Sequence, residues 1–352
     1  MQAGKRIAVG LAALLLAAIL GAAIGFAVSP AFRTNVLSLL HLSKAPKAPL
    51  PGYREGTLYL SLIPDSGTMP LGIYSYDVAN KRLGRVLVDP SLSIPDYTAY
   101  ISPSLSSDGA TLAFASKKHN DPAFQIYTAR PDGTDMKQIT KGPEALKREP
   151  VISPLGSAIA YVALRGATTT DPELPDNWDV YLTDLSGHAA KIAQGVNPLF
   201  SPDGTKLLIL KNDGLHLYDI TNVTHAKEIG LVARAVGGRA SQTMKLALSR
   251  DGALLAWSSP GKENVIITKI TSWDPFSLAP FKTLPVKAYW SVFSPDDRYL
   301  ALQQIKVSSR TGLEYAVVSM FDLGSEATST LPSVLNLYQY VNEYMWLGGW
   351  AK

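Results

Sequence analysis

The chain has 352 residues, 46% of them hydrophobic, enough apolar side chain for a large core within one closed all-β unit. It contains no cysteine, which excludes disulfides, thiolate metal sites, cysteine nucleophiles and a lipidated cysteine anchor. The formal charge of +4 is unevenly spread: residues 1–55 hold six basic residues and the single acid Glu55, leaving −1 on the other 297. A near-neutral body argues against the broad basic footprint that nucleic acid requires.

A short basic segment, 1–6, carries Lys5 and Arg6 and precedes an uncharged run from Ile7 to Val28. A helix of those 22 residues rises roughly 33 Å, about the thickness of a bilayer's hydrocarbon core. A cleaved signal peptide has a shorter apolar core of about 7–15 residues. The small-residue candidate Ala27-Val28-Ser29 is also followed by Pro30, so 7–28 reads as an uncleaved transmembrane anchor. Lys5 and Arg6 favour a cytoplasmic N-terminus and put the large domain on the extracytoplasmic (periplasmic or extracellular) side, although Arg33, Lys44 and Lys47 beyond the span pull the other way. Residues 29–55 read as a juxtamembrane helix, with Phe32, Val36, Leu39 and Leu40 on one side, and then a linker. In that linker, Lys44-Ala-Pro-Lys-Ala-Pro-Leu-Pro-Gly52, the prolines favour an extended spacer.

From residue 56 onward short β-rich segments alternate with Gly, Pro, Asp and Asn, and one unit recurs. Its turns are Leu105-Ser-Ser-Asp-Gly109, Ile152-Ser-Pro-Leu-Gly156, Phe200-Ser-Pro-Asp-Gly204, Leu248-Ser-Arg-Asp-Gly252 and Phe293-Ser-Pro-Asp-Asp297, with leading residues 47, 48, 48 and 45 positions apart. Proline presets φ, aspartate bonds back to the backbone, and glycine takes the positive φ that closes the hairpin. Each turn leads into an apolar strand, such as Thr111–Ala115 or Ala158–Val162. A third strand often ends in aspartate, as in Ile73–Asp77 and Val180–Asp184, and a short fourth follows. Four strands in about 48 residues is the size of a propeller blade, and 297 residues accommodate six. The first unit lacks its innermost strand. The segment Glu343–Trp350, with Trp346 lying 53 positions after Phe293, is expected to supply it and close the ring.

The Ser-Pro-Asp-Gly turns, followed by Leu-Ala-Phe or Ile-Ala-Tyr strands and then Ile-Tyr or Val-Tyr strands, resemble the TolB-like propellers built of PD40 (WD40-like) repeats. The resemblance covers residues 56–352 and implies an all-β, six-bladed fold. It implies little about activity, because such propellers range from periplasmic envelope proteins to the propeller halves of prolyl oligopeptidase-type peptidases. Two turns depart from the pattern: Leu155 stands in place of aspartate and Asp297 in place of glycine.

The sequence offers no catalytic constellation. There is no Gly-x-Ser-x-Gly elbow and no α/β segment to hold one. The five histidines (His41, His119, His188, His216 and His225) show no ligand spacing, which argues against the clustered-histidine metal site of the lyases among the similar propellers. The acidic stretch Asp171–Asp179 reads as a solvated loop ahead of a cation site. The expectation is therefore a non-enzyme without cofactor or metal.

Loop length gives the positional clue. The repeated turns are short, whereas 64–71, 89–100, 117–124, 165–177, 230–242 and 306–313 are long and share the opposite rim. Tyr97, Tyr100, Arg148, Glu149, Asn197, Tyr289, Trp290, Tyr340 and Tyr344 are expected to enter the innermost strands from that rim and to form a binding mouth, aromatics interleaved with a few charges. The expected function is a membrane-anchored, non-catalytic scaffold of the cell envelope that binds a protein or envelope polymer. The alternative is a carbohydrate- or peptide-binding sensor, or a degenerate hydrolase or lyase, using the channel mouth.

Overall fold

The computed structural model describes residues 56–62, 72–80, 82–88, 99–117, 123–142, 146–166, 174–222, 225–234, 245–258, 264–307, 314–324, 335–340 and 345–351. The expected anchor, juxtamembrane helix and linker lie outside them. Among the described residues no helix is long and apolar enough to cross a membrane.

In chain order the strands are β1 (Thr57–Leu62), β2 (Gly72–Asp77), β3 (Arg82–Val88), β4 (Ala99–Leu105), β5 (Leu112–Lys117), β6 (Gln125–Ala129), β7 (Lys137–Gln138) and β8 (Lys147–Ile152). They continue as β9 (Ala158–Leu164), β10 (Trp178–Asp184), β11 (Ala189–Gln194), β12 (Val196–Phe200), β13 (Lys206–Lys211), β14 (Gly214–Asp219), β15 (Lys227–Arg234) and β16 (Leu246–Leu248). The last are β17 (Leu254–Ser258), β18 (Val265–Trp273), β19 (Phe276–Leu284), β20 (Trp290–Phe293), β21 (Tyr299–Val307), β22 (Glu314–Asp322), β23 (Leu335–Tyr340) and β24 (Met345–Ala351). They form six antiparallel four-stranded sheets. Blades two to six each use four consecutive strands, and blade one has the order β24-β1-β2-β3. The molecule is an all-β, six-bladed propeller closed by its C-terminal strand. In that closure Leu62 faces Met345, Ser61 faces Trp346 and Thr57 faces Ala351.

The second strands, such as β5, β9 and β13, are buried on both faces, which explains their nearly continuous apolar runs. On β9, Ile159 and Tyr161 pack with Ala113, Ala115 and Ile126 of blade two. The alternate residues Ala160 and Val162 pack with Val196, Leu207 and Ile209 of blade four. On β13 the faces divide likewise: Leu208 turns to Leu255 and Ile270 of blade five, while Leu207 and Ile209 face blade three. The core is thus a ring of inter-blade seams, and each strand's period-two pattern serves two of them.

Two expectations need correction. The loop placed at 230–242 begins later, because β15 runs on to Arg234 and pairs Gly214 with it. Tyr340 does not enter an innermost strand: it ends β23, the outermost strand of blade six, opposite Tyr315. Residues 335–340 complete blade six before the chain crosses to blade one, so the C-terminal region supplies two strands at opposite edges of neighbouring sheets.

Candidate binding site at the channel

Six innermost strands (β24, β4, β8, β12, β16 and β20) surround a central cavity of about 630 Å³. The repeated turns build one end. In each complete copy the serine hydroxyl donates to the aspartate two residues on, at 2.6 Å for Ser106–Asp108 and Ser201–Asp203 and 2.7 Å for Ser249–Asp251. The same hydroxyl accepts a backbone N–H from five residues on, from Thr111 and Lys206 at 2.9 Å and Leu254 at 2.7 Å. These hydroxyl bonds, with backbone N–H donors, hold the Asp108 and Asp203 carboxyls below the usual carboxylate range.

The two departures from the repeat are resolved differently. Leu155 leaves the turn intact, since Gly156 N–H still reaches Ser153 O at 2.8 Å and Ala158 N–H still reaches Ser153 Oγ at 3.1 Å. Asp297 takes the positive φ of the glycine it replaces, +55°. Its carboxylate accepts N–H bonds from Arg250 at 2.7 Å and Asp251 at 3.1 Å, which ties blade six to blade five. Arg250, standing where three of the other copies have proline, sends its guanidinium to the carbonyl of Ser107 in blade two, on the opposite side of the ring. A blade-five side chain therefore crosses this end of the channel.

The other end is built four residues before each turn serine, where blades two to six carry Ser102, Glu149, Asn197, Lys245 and Trp290, of which all but the buried Lys245 line the cavity. Ser102, Glu149 and Asn197 each precede a proline and adopt positive φ of 50°, 55° and 53°. At each the pairing register slips, between Ile101 and Ser104, Arg148 and Val151, and Val196 and Leu199. Proline has no N–H for the ladder, so the strand bulges and re-aims the residue before it.

The Lys245 ammonium reaches from blade five past blade four to Glu149 Oε1 in blade three, and lies 4.6 Å from the centre of the Trp290 ring in blade six. Both partners of this ion pair are buried, Lys245 at 5% and Glu149 at 8% exposure. Burial pulls Lys245 down to about 8, with Glu149 opposing that shift and Arg148 adding to it. Arg148 Nε lies 3.6 Å from the same Glu149 oxygen, and its guanidinium lies 4.0 Å over the Trp178 ring. Glu149 Oε2 is buried without a hydrogen-bond partner.

Of the expected mouth residues, Glu149, Asn197 and Trp290 line the cavity and Arg148 adjoins them. Tyr100 is partly buried instead in the seam between blades one and two, edge-on to Phe114 at 5.9 Å. Tyr289 lies 5.6 Å from the Lys287 ammonium and does not line the cavity. Tyr97 and Tyr344 lie outside the described residues. Sequence reasoning missed Lys245, Ser102 and Ser291, all three buried. For Lys245 and Ser102 the available signal was the offset of four from each turn serine, marked three times by a following proline.

The acidic stretch is not a solvated loop where it is described. Asp179 is buried and bridges Lys191 at 2.8 Å and Arg165 at 3.6 Å, and Asp176 accepts from Asn212 Nδ2 at 2.6 Å. Among the described residues no group of three or more His, Cys, Asp or Glu is arranged to hold a metal ion.

No family model matches the chain, and no curated protein matches its sequence. Solved structures match its fold. TolB from Acinetobacter baumannii superposes with a TM-score of 0.58 at 14% identity, over 89% of this chain and 70% of that one. A chain described as a TolB from Agrobacterium tumefaciens gives 0.50 at 13% identity, over 82% and 91%. Hydrazine synthase from Kuenenia stuttgartiensis gives 0.55 at 14% identity, over 85% and 47%. At these identities the likeness is one of fold: this chain carries a six-bladed β-propeller with TolB-like structural neighbours.

Proposed function

We propose that the chain is a non-catalytic binding module of the cell envelope, tethered by residues 7–28, whose propeller engages a protein partner at the Lys245–Trp290 end of the channel. The observation that carries this reading is the mouth itself. Five blades present a different side chain at one level of a rigid ring, and three of those positions are held in sparsely populated backbone conformations. Such strain persists where the surrounding structure over-determines it, and it clusters at recognition sites. The TolB-like neighbours support an envelope role for a propeller of this kind.

The test is affinity capture with the full-length chain from its own membranes, after chemical crosslinking. A specific partner recovered with the native chain and depleted at least fivefold with Trp290→Ala supports the reading. Equal recovery with both, or no specific partner in repeated captures, overturns it.

A further inference from the structure

The central cavity of about 630 Å³ falls in the size range of small-molecule sites. An apolar wall runs through it, made by Pro103, Pro150, Pro198, Leu199, Leu246 and Val292 of the innermost strands. Its charged lining residues are Asp108, Glu149 and Arg250, and each is already engaged. Asp108 accepts from Ser106 Oγ and the Ala110 N–H and lies in the field of Arg250. Glu149 Oε1 accepts from the Lys245 ammonium, and Arg250 bonds the Ser107 carbonyl. An ionic occupant would therefore bring a charge to a place that holds no open counter-charge for it, where burial is costly.

What remains is uncharged hydrogen-bonding capacity. Ser102 Oγ, Ser291 Oγ, Glu149 Oε2 and Trp350 Nε1 all belong to cavity-lining residues, and none has a hydrogen-bond partner among the described residues. Those residues are 2%, 7%, 8% and 9% exposed. Buried polar atoms are nearly always paired, so four unpaired ones around a single cavity point to an occupant. Their demands differ: the hydroxyls donate and accept, the carboxylate oxygen only accepts, and the indole N–H only donates. Each serine hydroxyl moves between three staggered positions by turning about one bond, which lets it swing from the wall to an occupant. The matching molecule is neutral, carries several groups that both donate and accept, and has an apolar side for the prolines.

We propose that the channel binds a neutral sugar, its hydroxyl groups exchanging hydrogen bonds with Ser102, Ser291 and Glu149 and its carbon-bound hydrogens lying against the proline-lined wall. Hydroxyl groups suit this lining because one molecule can then donate to the carboxylate oxygen and accept from the indole N–H. Water meets the same polar atoms but gains nothing from the apolar wall. The site goes beyond the partner-binding reading, since the partner meets the mouth and the sugar lies within the channel.

The experiment is a saturation-transfer NMR titration of the full-length chain, kept in a detergent without a sugar headgroup. The probes are glucose, N-acetylglucosamine, glucosamine and glucuronate, which share one ring; the first two are neutral, and the others carry a positive and a negative charge. At least one neutral sugar is expected to bind, with both charged counterparts at least tenfold weaker. Ser102→Ala and Ser291→Ala each remove an unpaired hydroxyl, so neither should lower the thermal midpoint. The double variant is expected to weaken the neutral sugar at least fivefold. The charge contrast is read on the native chain, so it stands even if a variant fails to fold. No binding of either neutral sugar up to about 50 mM, a charged sugar binding as well as the neutral ones, or unchanged affinity in the folded double variant overturns the proposal. Partner capture that depends on Trp290 while no sugar binds overturns it and leaves the partner-binding reading in place.

Discussion

An ammonium removed from water loses hydration worth several kcal/mol, which a single carboxylate repays only in part. Lys245 is in that position, and its depressed value of about 8 sets a sign for stability against pH. Between about 8 and the ordinary lysine value near 10.5 the unfolded chain binds the proton that the folded chain has released. Stability due to this residue therefore rises with pH across that window. The thermal midpoint of the native chain minus that of Lys245→Met should increase between pH 7.5 and pH 10, by differential scanning calorimetry. A flat or falling difference would show that Glu149 keeps the ammonium charged throughout. Asp297 makes a second residue-scale case. Asp297→Gly relieves the positive φ but removes both N–H bonds to blade five. Since bonds to a charged group contribute about 1.5–3 kcal/mol each and the backbone relief is only about 1 kcal/mol, a net loss of about 2–5 kcal/mol is expected in urea unfolding.

At the scale of the element, β24 carries the closure. Without it β1 becomes an open edge and the seam against β4 loses one wall. Deleting residues 343–352 should abolish the cooperative thermal transition of the whole propeller; a folded ring with a modestly lowered midpoint would show that closure is dispensable. Gly348 marks how tightly that seam is drawn, because a Cβ there would run into the ring and carbonyl of Pro103. Gly348→Ala should cost about 1–3 kcal/mol through overpacking, measured by the same unfolding curve.

The turns were legible because their chemistry demands particular residues at fixed intervals, and the blades followed from that spacing. Tyr340 was misplaced because Leu335-Asn-Leu-Tyr-Gln-Tyr340 alternates as an inner strand would, and only its partner β22 reveals it as an outer one. Lys245 was hidden for a different reason. It precedes a three-residue strand and is followed by leucine where blades two to four have proline, so its role depends on contacts 96 positions away.

Across the whole molecule, blade five reaches over the ring at both ends, Lys245 toward blade three and Arg250 toward blade two. Removing both, as Lys245→Met with Arg250→Pro, should raise hydrogen exchange at the inner strands of blades two and three more than at the outer strand β15. Uniform protection across the ring would show that neither crossing restrains it.

The proline bulges carry a further consequence. An innermost strand is also a sheet edge, and a bare edge invites an extended peptide to pair with it as an added strand. Pro103, Pro150 and Pro198 lack the amide such pairing uses, and the slipped register beside each interrupts the remaining row of donors and acceptors. Three of the six walls thus refuse a lengthwise main-chain zipper. A polypeptide lying along those three walls would be read there by its side chains rather than by main-chain pairing.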